Sequence, residues 1–129
     1  MVGSIDTLTG LHKLIRLSCQ YNNGTTGNVE TAFTNINKLV IIANQYVKWT
    51  GSSNDWGATT TNINGNIRVF GNKYNLERIL LYNRVNINGD LKSLKNLKKL
   101  YYVDLVYCDI IGTKTDLYNQ GANITHFDV

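Results

Sequence analysis

Glycine returns along this chain at the head of similar segments, and that return constrains the fold more than any other feature. The segments are "GSIDTLTGLHKL" from Gly3, "GNVETAFTNINKL" from Gly27, "GNIRVFGNKYNLERI" from Gly65, "GDLKSLKNLKKL" from Gly89 and a degenerate "GTKTDLYNQGANITHF" from Gly112. The glycines step by 24, 38, 24 and 23 residues. Strand-like stretches recur in phase with them: "LIRLSC" at 14–19, "INKLVI" at 36–41, "LERILL" at 76–81, "LYYVDL" at 100–105 and "ITHFDV" at 124–129. Each reads as L-x-x-L-x-L. Self-similarity at such a period marks a chain built by stacking one supersecondary unit. A single unit cannot bury its own apolar side, whereas stacked units share a continuous core.

Residues 91–112 show the unit in detail. Leu91, Leu94, Leu97 and Leu100 recur at every third position. Val103 and Leu105 then alternate, Cys108 and Ile110 follow, and Gly112 ends the stretch. An amphipathic α-helix would show i, i+3, i+4, i+7 spacing, and a strand would alternate throughout. The three-residue spacing predicts a 3₁₀-like or extended convex segment. The alternation predicts a short strand with Leu100, Val103 and Leu105 turned inward.

These segments resemble the leucine-rich repeat family, in the class with consensus L-x-x-L-x-x-L-x-L-x-x-N-x-L-x-G-x-I. The resemblance covers nearly the whole chain. Cys108 falls where that family usually carries Asn or Cys, and Asn22 and Asn44 fall there in the first two units. A cysteine offers less hydrogen bonding than Asn, so the fourth unit is expected to rely more on packing. The resemblance implies an α/β-type solenoid: a right-handed superhelix with one parallel sheet of about five short strands and mostly irregular or 3₁₀ convex segments. The expected organisation is one domain over residues 1–129. The 38-residue step requires an insertion at about 45–62, which holds both tryptophans, Trp49 and Trp56.

Composition narrows the class. Of 129 residues, 43% are hydrophobic and 17% charged, which suits a packed domain rather than a disordered chain. The net charge is +4, and its densest run, Lys92, Lys95, Lys98 and Lys99, reads as a solvated face. No nucleic-acid partner is therefore expected. No run of apolar residues is long enough to span a membrane. "MVGSIDTLTG" has no signal-peptide pattern, so a place in the cytoplasm, a virion or another assembly is expected, or outside the cell for a mature form or fragment. Three strand spacings separate Cys19 from Cys108, about 14 Å. A disulfide needs Cα atoms within about 7 Å, so both are expected as free thiols.

Repeat register also predicts which side chains share a face. With the first spine residue as position one, the third position reads Arg16, Lys38, Arg78, Tyr102 and His126 on the concave sheet. The fifth reads Ser18, Val40, Leu80, Asp104 and Asp128. Val40, Ile42 and Leu80 form an expected apolar patch, with Tyr82, Tyr101, Tyr102 and Tyr107 beside it. Exposed apolar patches mark interaction surfaces, and Tyr and Arg are favoured anchors there. Trp49 and Trp56 either fold back on the patch or contact a partner.

Chemistry finds little support in the pattern. His126 has Asp104 in an adjacent unit, but no Ser or Cys nucleophile falls beside them. No phosphate loop, calcium loop or zinc spacing occurs. The expectation is a non-enzymatic module without cofactor or metal, binding a protein partner through Arg16, Lys38, Arg78, the tyrosines, His126 and the tryptophan loop. Two alternatives stay open. One is a structural or assembly subunit, such as a virion or surface-layer component, whose ends pack on neighbouring copies of itself. The other is a glycan-binding surface protein.

Overall fold

The computed structural model describes residues 3–18, 25–43, 62–81, 86–118 and 123–129. The Trp49 and Trp56 insertion up to residue 61, Tyr82, Cys19, Asn22 and Asn44 lie outside them. Among the described residues the chain forms two parallel sheets of five strands. The first holds β1 (Gly3–Ser4), β3 (Thr25–Asn28), β5 (Asn62–Asn66), β7 (Ile87–Asp90) and β9 (Asp109–Ile111), in that spatial order. The second holds β2 (Arg16–Ser18), β4 (Ile41–Ala43), β6 (Arg78–Leu80), β8 (Tyr102–Asp104) and β10 (His126–Asp128). Successive strands alternate between the sheets, and neighbours in each sheet follow chain order.

The first sheet is an addition to the single expected one. Its strands lie at the joints where the glycine-led segments begin, with Gly3, Gly27, Gly65 and Gly89 inside β1, β3, β5 and β7 and Gly112 just after β9, and they carry no alternating apolar pattern to announce them. Gly27 and Gly89 show why glycine heads each unit. Their φ angles are +125° and +141°, a region that L side chains rarely adopt. A Cβ on either would stand 2.6 Å from an isoleucine of the preceding unit, Ile5 or Ile67. The residue after the glycine then caps the next turn. Ser4 Oγ accepts from Asp6 N, Asn28 Oδ1 from Glu30 N and Thr31 N, Asn66 Oδ1 from Arg68 N, and Asp90 Oδ1 from Lys92 N. These side chains satisfy amide groups that have no partner within the helical turn.

Short helical segments lead from each first-sheet strand toward the second sheet. They are 3₁₀ turns at Ile5–Gly10, Ile67–Asn72 and Leu91–Leu94, and α1 (Val29–Phe33) and α2 (Thr115–Tyr118). The leucines at 91, 94, 97 and 100 are all buried. A 3₁₀ turn has three residues, so every third side chain points the same way. Bonds from Leu97 N to Leu94 O and from Leu100 N to Leu97 O carry the same i to i+3 pattern to the strand. Phe33 and Phe70 meet in the core at a centroid distance of 5.6 Å.

The register of the second sheet corrects one expected column. Arg16, Ile41, Arg78, Tyr102 and His126 form one row. Ile41, not Lys38, stands between Arg16 and Arg78. The second unit matches L-x-x-L-x-L in full from Ile36, whereas from Leu39 only the first two apolar positions are met and Asn44 stands at the third. The structure uses Leu39, and Ile36 falls one turn earlier, fully buried. Lys38 therefore precedes the strand and is exposed.

Candidate functional site

In the second sheet Leu17, Ile42, Ile79, Val103 and Phe127 form the middle row and pack into the core. Side chains alternate along a strand, so the rows on either side share the opposite face. One is the row of Arg16, Ile41, Arg78, Tyr102 and His126. The other is Ala43, Leu80, Asp104 and Asp128.

The expected apolar patch on this face is not there. Ile42 belongs to the core row, with 1% of its surface exposed, because the register slip moves it from the outer face to the inner one. Leu80 lies on the outer row but is equally buried. Val40 precedes its strand and is half-buried. Its N–H donates to Ile15 O, and its carbonyl accepts from Glu77 N.

The aromatic cluster does assemble. Arg78 Nε donates to the Tyr101 hydroxyl. The Arg78 guanidinium carbon lies 5.2 Å from the Tyr101 ring centre and 5.9 Å from that of Tyr102. The Tyr102 ring stacks on His126 at 4.0 Å with an interplanar angle of 7°. Tyr101, Arg78, Tyr102 and His126 thus form one continuous row of planar groups, all half-buried. Tyr107 stands apart in the turn after β8, 59% exposed and with φ at +63°. Arg16 is exposed at the far side of the sheet.

Beside His126 lie two carboxylates. Asp104 and Asp128 are register partners on β8 and β10. Donor atoms of Asp104, His126 and Asp128 all fall within 4.8 Å of one another. Asp104 is buried, and its Oδ1 accepts from Val106 N at 3.3 Å. His126 Nε2 is shielded from solvent and has no hydrogen-bond partner among the described residues. Burial pushes the Tyr102 phenol pKa up from 10.0, and Asp104 and Asp128 push it the same way, while Arg78 opposes them. The carboxylates' field therefore reaches the aromatic row.

Sequence reasoning paired His126 with Asp104 but did not add Asp128. The register was the available signal, since Asp128 shares the fifth position with Asp104. It also missed Lys73, which is fully buried in a position that holds Ile36 and Leu97 in the flanking units. Cys108 makes more polar contact than expected. Its thiol donates to Leu81 O at 2.9 Å, so it satisfies a backbone group of the preceding unit. It is a free thiol, half-buried against the core.

No protein-family model matches the chain, and no curated protein or solved structure matches it. No helix among the described residues is long and apolar enough to cross a membrane.

Proposed function

We propose that the chain is a leucine-rich-repeat solenoid that acts as a non-enzymatic binding module, holding a protein partner against the outer face of its second sheet. The observation that carries this reading is the row Tyr101, Arg78, Tyr102 and His126, in which a guanidinium lies against two tyrosines and one of these stacks on an imidazole. Such groups offer large contact area at low conformational cost, and Tyr and Arg are enriched where binding energy concentrates. Mutual stacking holds them in place before a partner arrives, which reduces the ordering cost of association. Tyr107 adds support. A bulky residue at positive φ is strained, and such outliers cluster at functional sites.

Selection of a random displayed-peptide library on the immobilised chain tests the reading. Enriched peptides are expected to lose at least about tenfold in affinity on Arg78→Ala or Tyr102→Ala, equivalent to about 1.4 kcal/mol. Lys95→Ala should leave them unchanged. Peptides indifferent to Arg78 and Tyr102, or no enrichment at all, would count against this face.

A second reading, assembly with copies of itself, draws support from the sheet edges. Among the described residues, strands β1 and β2 form one edge of their sheets, and β9 and β10 the other. Leu11 and Ile15 are exposed near the first edge, Ile111 and Val129 near the second. Unpaired strand edges template further pairing, and a head-to-tail contact of this kind propagates. Light scattering that rises with concentration and falls on Ile111→Lys supports it, and an unchanged monomer removes it.

A further inference from the structure

We propose that Asp104, His126 and Asp128 bind a first-row divalent cation of the zinc class on the outer face of the second sheet. The backbone fixes the arrangement. Tyr102 pairs with His126 and Asp104 with Asp128 across β8 and β10. Residues two apart on a strand share a face, so register brings one imidazole and two carboxylates together. Their donor atoms lie within 4.8 Å of one another. Donors around a tetrahedral ion at about 2.1 Å stand about 3.4 Å apart. Small side-chain rotations close the difference.

A further observation points to a missing ligand. His126 Nε2 is shielded from water and has no partner among the described residues. Buried polar atoms in folded proteins nearly always have one. Asp104 and Asp128 face each other in register beside this imidazole, and a divalent ion held by the three gives the imidazole an electron-pair acceptor.

The donor set selects the metal. Magnesium and calcium favour oxygen ligands alone, and copper(I) favours sulfur. One nitrogen with two carboxylate oxygens suits zinc. The ring of Tyr102, stacked on His126 at 4.0 Å, holds the imidazole plane as an outer-shell group does. Three protein donors leave a coordination position for water.

Calorimetric titration of the chelator-treated full chain with zinc chloride at neutral pH tests the proposal, with magnesium chloride in parallel. Binding of about one zinc ion per chain is expected, with no magnesium response at the same concentrations. Asp128→Asn alters an exposed residue and should weaken zinc binding by more than about tenfold. Nitrogen NMR of the wild-type imidazoles gives a readout independent of any variant: zinc should shift His126 and leave His12 in place. No zinc binding, binding unchanged by Asp128→Asn, or a shift confined to His12 would overturn the proposal. The peptide-binding reading of the same face does not depend on the result.

Discussion

Lys73 Nζ donates to Asn37 Oδ1 at 2.9 Å and to Thr34 O at 3.2 Å from a position that the flanking units fill with Ile36 and Leu97. A lysine therefore stands in an apolar column and reaches back to the preceding unit for its acceptors. Burial lowers its pKa below 10.5. The unfolded chain then holds more protons than the folded one between the lowered value and 10.5, so this residue's contribution to stability rises with pH across that window. Below the window the charged form bears its full desolvation cost. Lys73→Met is expected to stabilise the protein by about 1 kcal/mol at neutral pH. The gain should shrink as pH approaches 10.5. Denaturant melts of both proteins across that range check it, and a gain that grows with pH would contradict the argument.

Much of the architecture was legible in Gly3, Gly27, Gly65, Gly89 and Gly112, because one backbone requirement recurs at each. The leucines at 91, 94, 97 and 100 were legible for a similar reason, since their spacing is the period of a 3₁₀ turn. The second unit was misleading. Apolar residues at 36, 39 and 42 continue that period into the strand, and the motif is complete only from Ile36, so the sequence favours the offset that packing does not use. The first sheet gave no signal, because strands of two to five residues, most of them rich in Gly, Thr and Asn, read as turns. Register paired His126 with Asp104 and put Asp128 in the same column as Asp104, but it did not join the three, because metal signatures are local spacings and these residues come from two strands with more than 20 residues between Asp104 and His126.

Gly89→Ala should be strongly destabilising. The new methyl group would meet Ile67 at 2.6 Å and Asn66 Oδ1 at 2.7 Å, on a backbone with φ at +141°. Strain and overpacking together are expected to cost about 2–4 kcal/mol. Gly10→Ala is the matched control, since nothing lies within 4 Å of its Cβ position. It should stay within about 0.5 kcal/mol of the parent. Equal effects of the two changes would mean that the glycine column is not under backbone constraint.

Ile42 and Lys38 test the register of the second unit. Ile42 lies in the core row and should cost about 2–5 kcal/mol on truncation to alanine. Lys38 is exposed ahead of β4, and Lys38→Ala should change stability by no more than about 0.5 kcal/mol. Equilibrium urea melts separate these values readily. A harmless Ile42→Ala would restore the offset from Ile36 and return Lys38 to the outer row.

Tyr102 gives the outer face a pH signature of opposite sign to that of Lys73. Its folded pKa is raised above 10.0, first by burial and then by Asp104, with Asp128 adding to the rise and Arg78 opposing it. A raised value means that the folded state keeps the phenol proton after the unfolded chain has lost it. The resulting stabilisation is whole below pH 10.0 and is lost as pH rises through the folded pKa. Tyr102→Phe keeps the aromatic stack on His126 and removes the ionisation. It should change stability little at neutral pH, within about 0.5 kcal/mol. The difference between the two proteins should then move steadily in favour of the phenylalanine variant above pH 10.0. Asp128→Asn removes one of the charges that hold the proton on, so it should bring the Tyr102 titration closer to 10.0. Ultraviolet absorbance of phenolate, compared between wild type and Tyr102→Phe, isolates this one group. A Tyr102 titration at 10.0 in the wild type, unmoved by Asp128→Asn, would show that the two carboxylates do not act on the aromatic row.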